Sequence, residues 1–283
     1  MKKQTTIFLF LILLLIVAFI CDIFIGNATI SVKEAWLALF GSSGNEIIDE
    51  IIRNYRLPKA ITAVIAGAAL AVSGLLMQTL FRNPLAGPDV LGVSAGAGLG
   101  VAILTMFSGT AIYPIIQSLG NMAQIVAAIA GAAGVLLLIL SVSSRIKDSI
   151  TILVLGMIFG YVASSLITIL QSFADPDSLK VFVTWTFGSL GNVTNEKLPL
   201  LLAIVIIGIL LTFILQKTLN SLLLGENYAI SSGVNIKRAR IMIITIAAVI
   251  TGAVTAFTGP IAFVGVVIPH FARAFFRTVN HKT

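Results

Sequence analysis

Charged side chains are scarce in this sequence. Asp, Glu, Lys and Arg make up 10% of the 283 residues, whereas 58% are hydrophobic. Soluble domains carry about 25% charged residues, so the composition excludes an ordinary soluble globular protein. Uncharged apolar stretches recur along the chain, and each approaches the ~20 residues that a helix needs to cross a bilayer. The sequence therefore predicts an all-α, polytopic bundle of transmembrane helices in a lipid bilayer.

Cysteine and histidine are also nearly absent. Cys21 is the only cysteine, and the two histidines lie near the C-terminus. A single cysteine cannot form an internal disulfide or a thiolate cluster, and two histidines supply a metal site poorly. We therefore predict no bound metal and no cofactor.

Catalytic motifs are missing as well. The sequence has no Walker A motif, no paired carboxylates and no Ser/His/Asp arrangement, so we predict no catalytic residues and no enzymatic activity. Ionisable residues occur only near the ends of the predicted spans, at Asp22, Asp89, His270 and Arg273. Ion-coupled carriers usually keep such a group at mid-membrane. Any energy source is therefore expected in another subunit.

The apolar pattern predicts one transmembrane domain over residues 1–283 with eight helices. Lys2 and Lys3 precede an apolar run that is long for a signal peptide, which favours a first membrane span. The predicted helices are Ile7–Ile25, Ala60–Phe81, Val90–Phe107, Met122–Val142, Ile150–Gln171, Leu198–Leu215, Ile241–Phe257 and Gly259–Phe276.

Polar segments separate these helices. Ser31 and Glu34 have the spacing of a capping box, which predicts a short surface helix with Trp36 at the membrane interface. The other predicted elements are a short helix over Glu46–Ile52, a tight connection over Arg82–Asp89, a turn at Asp175–Asp177 and a short helix over Leu179–Leu190.

Basic residues flank the apolar stretches and form no continuous stripe. When both termini are placed in the cytoplasm, twelve of the 18 Lys and Arg residues fall on the inner side. This bias is the positive-inside pattern of membrane proteins. The net charge of +7 therefore indicates topology, and we expect no nucleic-acid partner.

The second and third predicted helices are rich in small residues. Gly92, Gly96 and Gly100 follow each other at four-residue spacing, and Gly74 lies in the preceding helix. Small residues on one face let membrane helices approach closely. We therefore expect the third helix to be central and the glycine faces to slide during gating. On this hypothesis, leucine at Gly92 or Gly96 abolishes transport without preventing membrane insertion.

Two prolines, Pro260 and Pro269, interrupt the last apolar segment. Proline breaks a helix, and the freed backbone groups must be covered by protein at membrane depth. We therefore expect this segment to pack inside the bundle, with Pro260 at an outer turn and His270 and Arg273 toward the cytoplasmic end.

The inner loop over residues 216–240 is the longest. Leu219–Ile230 has the pattern of a short helix, followed by a turn at Ser231–Gly233. Two interpretations remain open, namely an interfacial connecting loop and a docking helix for a cytoplasmic partner.

Several motifs occur in order along nearly the whole chain. They are Arg56-Leu57-Pro58, Ser73-Gly74 with Gln78, Asn83-Pro84-Leu85-Ala86, Leu91-Gly92-Val93-Ser94, Leu224-Gly225-Glu226 with Ala229 and Gly233, and Gly259-Pro260-Ile261-Ala262-Phe263-Val264-Gly265 with Pro269-His270. In this combination they resemble the FecCD-type permeases, the membrane subunits of bacterial ABC importers for iron-siderophores, haem and cobalamin.

The resemblance implies partners and residue roles. It implies a homodimer or a pair with a sister permease in the bacterial inner membrane, two cytoplasmic ATP-binding subunits and an extracytoplasmic substrate-binding protein. Arg56 and Lys59 match basic positions that meet carboxylates of the binding protein, although anchoring to lipid headgroups is the alternative. The residues that match the ATPase-coupling helices are Leu224, Gly225, Glu226, Ala229 and Gly233.

Two departures from the family pattern are visible. Ser232 stands where the family usually has an apolar residue. The family is built from inverted halves of helices two to five and seven to ten, so the second half here is expected to be incomplete after residue 276. The alternatives to an ABC importer permease are a secondary transporter or channel without an ATPase, and a non-transporting remnant.

Overall fold

The computed structural model describes residues 2–26, 28–106, 122–143, 145–146 and 148–276. These residues form α-helices joined by short connections, which confirms the predicted all-α bundle. The helices are α1 (Lys2–Phe24), α2 (Val32–Phe40), α3 (Glu46–Glu50), α4 (Leu57–Leu80), α5 (Val93–Met106), α6 (Ala123–Ser143), α7 (Ser149–Phe173), α8 (Pro176–Thr186), α9 (Leu198–Ile214), α10 (Gln216–Leu223), α11 (Glu226–Ser231), α12 (Ile236–Thr258) and α13 (Val264–Phe276).

Five stretches among the described residues are long and apolar enough to cross a membrane: α1, α4 with the turns before it, α6, α7 and α12. A sixth candidate is the pair α9 and α10, which is bent by 58°. Helices α5 and α13 are apolar but have only 14 and 13 residues. The third and eighth predicted helices are therefore present, and the part of each that the structure describes is shorter than the ~20 residues of a full span.

Helix α12 forms the centre of the bundle. Of its apolar window 78% is buried, compared with 6% for α1. It packs against α4, α5, α6 and α9, and Ile243, Ile244 and Ile250 are fully enclosed. The third predicted helix, α5, packs on α6 and α7 and also contacts α8 and α12, so it lies within the same core, as the sequence predicted.

The predicted start of the third helix at Val90 is wrong. Pro88–Leu91 forms a 3₁₀ turn, and Gly92 follows with φ 68° before α5 begins at Val93. A positive φ is readily adopted by glycine, so Gly92 redirects the chain and is not part of the helical glycine face.

The predicted tight connection over Arg82–Asp89 instead enters the bundle. Ala86, Gly87 and Pro88 are buried, and a Cβ atom on Gly265 would lie 2.5 Å from Pro88 Cδ and 2.9 Å from the carbonyl oxygen of Leu70. Leu70 lies ten residues before the end of α4, which is about 15 Å along the helix axis. The segment therefore turns back toward the middle of α4 and meets the beginning of α13 there.

The Pro260 segment is only partly enclosed, which corrects the prediction that it packs wholly inside. Thr258 and Gly259 are buried, whereas Ala262 and Phe263 are exposed. Helix α13 begins at Val264, not at Gly259, and contains Pro269 within it. One face of α13 remains exposed in this chain, with the large side chains Val267, Ile268, Phe271 and Phe275.

Two short predicted elements lie at one end of the bundle, and the first agrees with its prediction. Ser31 and Glu34 form the predicted capping box at the start of α2, and Trp36 is exposed beside Phe40. The short helix predicted over Glu46–Ile52 does not end separately, because a π-helical turn over Ile51–Arg56 carries it directly into α4.

Two other short elements differ from the predictions. Asp175 does not form a turn by itself but caps α8, since its side chain accepts hydrogen bonds from the backbone N–H groups of Asp177 and Ser178. The helix predicted over Leu219–Ile230 is interrupted at Gly225, which has φ 115° and separates α10 from α11.

The bundle has two chemically different ends. At the α2 end, Asn195 Nδ2 donates to Asn54 Oδ1 at 2.7 Å and so joins the connection before α9 to the turn before α4. At the α11 end, Arg240 of α12 reaches the start of α7 and the start of α11.

Candidate functional site

The predicted coupling residues lie together in a turn at the α11 end, which we call the docking turn and define as residues 224–233. Leu224 is 66% exposed, whereas Ala229 is fully buried and fixes the turn to the bundle. Gly225 and Gly233 have φ 115° and 83°, values that a residue with a side chain rarely adopts. The two glycines therefore give the turn its shape, and Leu224 supplies an exposed apolar contact.

The leucines of the inner loop do not all face outward. Leu219 and Leu222 of α10 are buried, and the exposed large side chains of this region are Leu224, Tyr228 and Ile230. The apolar surface available to a partner is thus carried by the docking turn, which includes α11. The buried leucines of α10 pack against the bundle.

Glu226 connects the docking turn to the bundle through a buried arginine. Its Oε1 atom accepts hydrogen bonds from Arg240 Nη2 at 3.2 Å and from Ser149 Oγ at 3.0 Å. Arg240 is 4% exposed and also donates from Nη1 to the carbonyl oxygen of Ile146 at 2.9 Å. From the sequence, Arg240 is only one of the twelve basic residues placed on the inner side. Arg240 lies near the start of α12, 14 positions after Glu226, and no local sequence pattern pairs the two residues.

The start of α7 beside Arg240 is fixed by an N-cap. Asp148 Oδ2 accepts from Thr151 Oγ1 at 2.6 Å and from Thr151 N at 2.7 Å. These hydrogen bonds, with a smaller contribution from the positive charge of Arg240, hold the pKa of the Asp148 carboxyl below its usual range.

Arg56 does not present its charge to a partner at the α2 end. The residue is 8% exposed, and its guanidinium donates to the carbonyl oxygens of Ile23, Phe24 and Ala28 at 3.0, 3.1 and 2.9 Å. The last carbonyls of a helix have no partner within the helix, so Arg56 caps the C-terminus of α1. The predicted contact between Arg56 and a carboxylate of a binding protein is not available in this arrangement.

Lys59 lies one helical turn further along and is more accessible. Its Nζ atom lies 2.7 Å from Asp22 Oδ1, and the two side chains are 44% and 33% exposed. Lys59 therefore keeps an accessible positive charge at the α2 end, although Asp22 already pairs with it.

The glycines of the second and last helices meet in the middle of the bundle. A Cβ atom on Gly74 would lie 1.7 Å from the carbonyl oxygen of Gly265, so the backbones of α4 and α13 are in direct contact. Gln78 stabilises the same contact by donating from Nε2 to the carbonyl oxygen of Val266 at 3.1 Å. The sequence named these three residues, and the structure brings them together.

Other predicted positions shape the two entering segments. Asn83 Oδ1 accepts from Leu85 N at 2.9 Å and forms the turn around the exposed Pro84. At the α2 end, a Cβ atom on Gly259 would lie 2.6 Å from the carbonyl oxygen of Trp185. Pro260 follows this contact, Pro269 is buried and His270 is exposed on the free face of α13.

The helical glycines Gly96 and Gly100 pack inside one chain. A Cβ atom on Gly96 would lie 2.6 Å from the carbonyl oxygen of Gly131, and one on Gly100 would lie 2.0 Å from that of Ala127. Leucine at Gly96 would therefore force α5 and α6 apart. We expect it to disturb the fold itself, so it cannot serve as the selective test of gating that the sequence suggested.

A row of hydroxyl groups on α7 was missed at the sequence level. Tyr161, Ser165, Thr168 and Ser172 are all exposed and recur at the spacing of one helix face. The hydroxyls of Ser165, Thr168 and Ser172 donate to backbone carbonyls four residues earlier at 2.9–3.1 Å. The available signal was this period of hydroxyl residues within an otherwise apolar span.

Comparisons with known proteins assign this chain to a family. The sequence model of the FecCD transport family matches residues 14–283. The chain belongs to the FecCD transport family. This permease is 32% identical to a hemin transport system permease of Yersinia pestis, over 93% of this chain and 77% of the relative. It is 33% identical to a vitamin B12 import system permease of Vibrio cholerae, over 86% of this chain and 71% of the relative.

The fold of the FecCD permease is also similar to a solved structure. That structure is described as an inward-facing conformation of an ABC transporter of the metal-chelate type, and the TM-score is 0.82 at 29% identity. The alignment covers 98% of this chain and 83% of the other. Together with the apolar helices, the comparisons show that the chain is a membrane permease.

Proposed function

We propose that this chain is the membrane-spanning subunit of an ATP-driven importer that moves a metal chelate into the cytoplasm. The hemin and vitamin B12 permeases among its relatives support this substrate class, and an iron-siderophore belongs to the same class. The observation that carries the proposal is the docking turn, which exposes Leu224 at one end of the bundle while Ala229 and Glu226 hold it to the helices.

The partners follow from this assignment. A second permease, either a copy of this chain or a sister chain, completes the passage. Two cytoplasmic ATP-binding subunits dock on the pair, one at the docking turn of each permease. A substrate-binding protein delivers the chelate at the α2 end, where Lys59 contributes positive charge. Both termini lie in the cytoplasm of a bacterial cell whose inner membrane holds the complex.

The hydroxyl row on α7 is proposed to line the passage. Lipid-facing surfaces are normally apolar, so four exposed hydroxyls on one face favour contact with water, substrate or a second subunit. Since three of these hydroxyls already donate to their own backbone, an apolar part of a chelate can pass without leaving them unpaired.

The two entering segments support an inverted arrangement within a single transmembrane domain. One segment enters from the α11 end after α4, and the other enters from the α2 end after α12. They meet where Gly265 contacts Pro88. Such crossing of opposite segments at mid-membrane is typical of inverted repeats around a transport pathway.

A substitution on the docking turn tests the function. Leu224→Asp is expected to reduce copurification of a coexpressed ATP-binding subunit by at least about tenfold, because it places a charge at an apolar contact. The control is Phe187→Asp, which changes an apolar residue at the α2 end that is at least as exposed as Leu224. Uptake is measured in proteoliposomes with haemin, cyanocobalamin or a ferric siderophore.

The expected result is uptake that requires ATP and is lost in Leu224→Asp. Uptake that continues without any ATP-binding subunit but collapses with the proton gradient would overturn the proposal and favour a secondary transporter. Absence of uptake with all three chelates, despite ATPase docking, would overturn the proposed substrate class.

A further inference from the structure

Arg240 is the point at which three segments of the α11 end meet. One Nη atom donates to the carbonyl oxygen of Ile146, and the other lies 3.1 Å from Ser149 Oγ and 3.2 Å from Glu226 Oε1. Ile146 precedes α7, Ser149 begins α7, and Glu226 begins α11. A single guanidinium of α12 therefore joins the docking turn to the first turn of the hydroxyl-bearing helix.

The ion pair in this junction is asymmetric. The Arg240 side chain is 5% exposed, whereas that of Glu226 is 41% exposed. Burying an arginine is unfavourable unless its charge is compensated, and a half-exposed carboxylate compensates it less than a buried one. Ser149 also contacts Glu226, because its hydroxyl donates to the same Glu226 oxygen at 3.0 Å. Displacement of Glu226 would thus disturb the contacts of both Arg240 and Ser149.

The docking turn has a hinge directly before Glu226. Gly225 has φ 115°, and a Cβ atom there would come no closer to other residues than 3.9 Å, to Arg82 Nη1. Gly225 therefore has room for a change in its own backbone angles, and a rotation of the turn about this residue would also have to displace the buried Ala229. The contact that would carry such a rotation into the bundle is the one between Glu226 and Arg240.

We propose that Arg240 is a positioning residue that couples the docking turn to the start of α7. This inference rests on the proposed function, since it assumes that an ATP-binding subunit moves the turn. Movement of Glu226 pulls on Arg240 and Ser149 together, so the first turn of α7 follows the docking turn. The hydroxyl row on the same helix then changes its position along the passage.

The test separates coupling from docking. Arg240→Gln and Ser149→Ala are compared with Arg238→Gln, a matched control on the exposed side of the same helix. The complex is purified with its coexpressed ATP-binding subunit, and uptake of haemin, cyanocobalamin or a ferric siderophore is measured together with ATP hydrolysis. Arg240→Gln is expected to lower the chelate transported per ATP by about tenfold while ATPase binding is retained. Ser149→Ala removes the hydroxyl contacts with Glu226 and Arg240 but leaves the ion pair between those two residues, and it is expected to lower the chelate transported per ATP by about threefold.

A distance measurement follows the movement itself. Cys21 is the only cysteine, so Cys21→Ser gives a background for spin labels at Asn227→Cys and Ile150→Cys, two exposed positions on α11 and α7. In the otherwise unchanged protein, the distance between the labels is expected to stay constant when ATP binds. With Arg240→Gln added, the distance is expected to change on ATP binding.

The outcomes are distinguishable. If transport and hydrolysis fall in proportion in Ser149→Ala and Arg240→Gln, or if the label distance is the same with and without Arg240, the coupling role is wrong while the proposed function stands. If Arg240→Gln does not assemble, Ser149→Ala decides alone, and an unchanged transport ratio in that variant overturns the inference. If the unchanged chain binds no ATP-binding subunit, the proposed function fails and the coupling role fails with it.

Discussion

Two buried arginines hold opposite ends of the bundle, and they do so in different ways. Arg56 binds three backbone carbonyls around the C-terminus of α1, at distances of 2.9–3.1 Å. Among the described residues, Arg240 donates to the carbonyl oxygen of Ile146, to the Ser149 hydroxyl and to the carboxylate of Glu226. Both residues are at least nine-tenths buried. The difference lies in their partners, because backbone carbonyls of a helix end are fixed whereas Glu226 lies on a hinged turn.

The same residue type therefore serves two purposes in this bundle. A guanidinium surrounded by carbonyls stabilises one arrangement of the chain and has no contact that a partner protein could displace. A guanidinium paired with a half-exposed carboxylate keeps its contact with the backbone carbonyl, whereas its contact with the carboxylate can change when a partner protein binds. The α2 end is therefore expected to respond to mutation through stability, and the α11 end through coupling.

The largest effect is expected from Arg56→Met. Three carbonyls lose their donor, so the free energy of unfolding should fall by about 3 kcal/mol. Thermal or denaturant unfolding of the permease in detergent measures this loss. The control is Arg53→Met, since the more exposed Arg53 caps the Ala38 and Gly41 carbonyls at the end of α2.

An unchanged free energy of unfolding in Arg56→Met, together with weaker binding of the substrate-binding protein, would contradict the stabilising role of Arg56. That result would restore the docking role predicted for Arg56 from the sequence. It would also require that the Arg56 side chain leaves the carbonyls of α1 when the partner binds.

A smaller effect is expected from Lys59→Gln. The pair with Asp22 is partly exposed, and such pairs contribute about 0.5 kcal/mol to stability. Affinity for the binding protein should fall by about threefold at low salt and by less at high salt, because exposed charges are screened. Affinity is measured by titration of the binding protein onto permease in nanodiscs.

Asp22→Asn is the matched control for this change. It removes the same ion pair but keeps the positive charge of Lys59, so the affinity for the binding protein should not fall. Equal losses of affinity in both variants would show that the pair acts only by ordering the α2 end.

The smallest effect concerns acid sensitivity at the helix caps. Because hydrogen bonds from Thr151 lower the pKa of Asp148, this carboxylate contributes stability at all pH values above its usual pKa. The contribution is lost as the pH falls through the lower folded-state value. Asp148→Asn keeps an N-cap acceptor and is expected to remove this acid-dependent part.

A capping residue at the α2 end provides the comparison. The pKa of Glu34 is lowered by hydrogen bonds from the Ser31 side chain and backbone, so its contribution has the same sign. Unfolding midpoints measured from neutral to strongly acidic pH should shift less in Asp148→Asn and Glu34→Gln than in the unchanged chain. A midpoint that depends on pH identically in all three proteins would contradict both assignments.

Much of the fold could be predicted because it follows from local patterns. The long apolar helices follow from runs of uncharged residues, and the start of α2 follows from Ser31 and Glu34 three residues apart. The docking turn could be located from its motif of Leu224, Gly225 and Glu226 with Ala229 and Gly233, but the break of the helix at Gly225 could not, because a single glycine is also tolerated within a helix.

The arrangement of the candidate site was harder to predict from the sequence. Gly74 and Gly265 are 191 positions apart, and no local pattern shows that their backbones touch. Arg56 and Lys59 look alike as basic residues before a span, yet only Lys59 remains accessible. Burial depends on neighbours from other helices, which hydropathy within a window does not contain.

The sequence by itself determined that this chain is a helical membrane permease of a recognisable family, because hydropathy and short motifs act through neighbouring residues. Only the tertiary structure decided that Arg56 is a helix cap and that Arg240 joins the docking turn to α7. The physical reason is that a buried charge is defined by the groups that surround it. Those groups come from α1 for Arg56, and from α7 and α11 for Arg240.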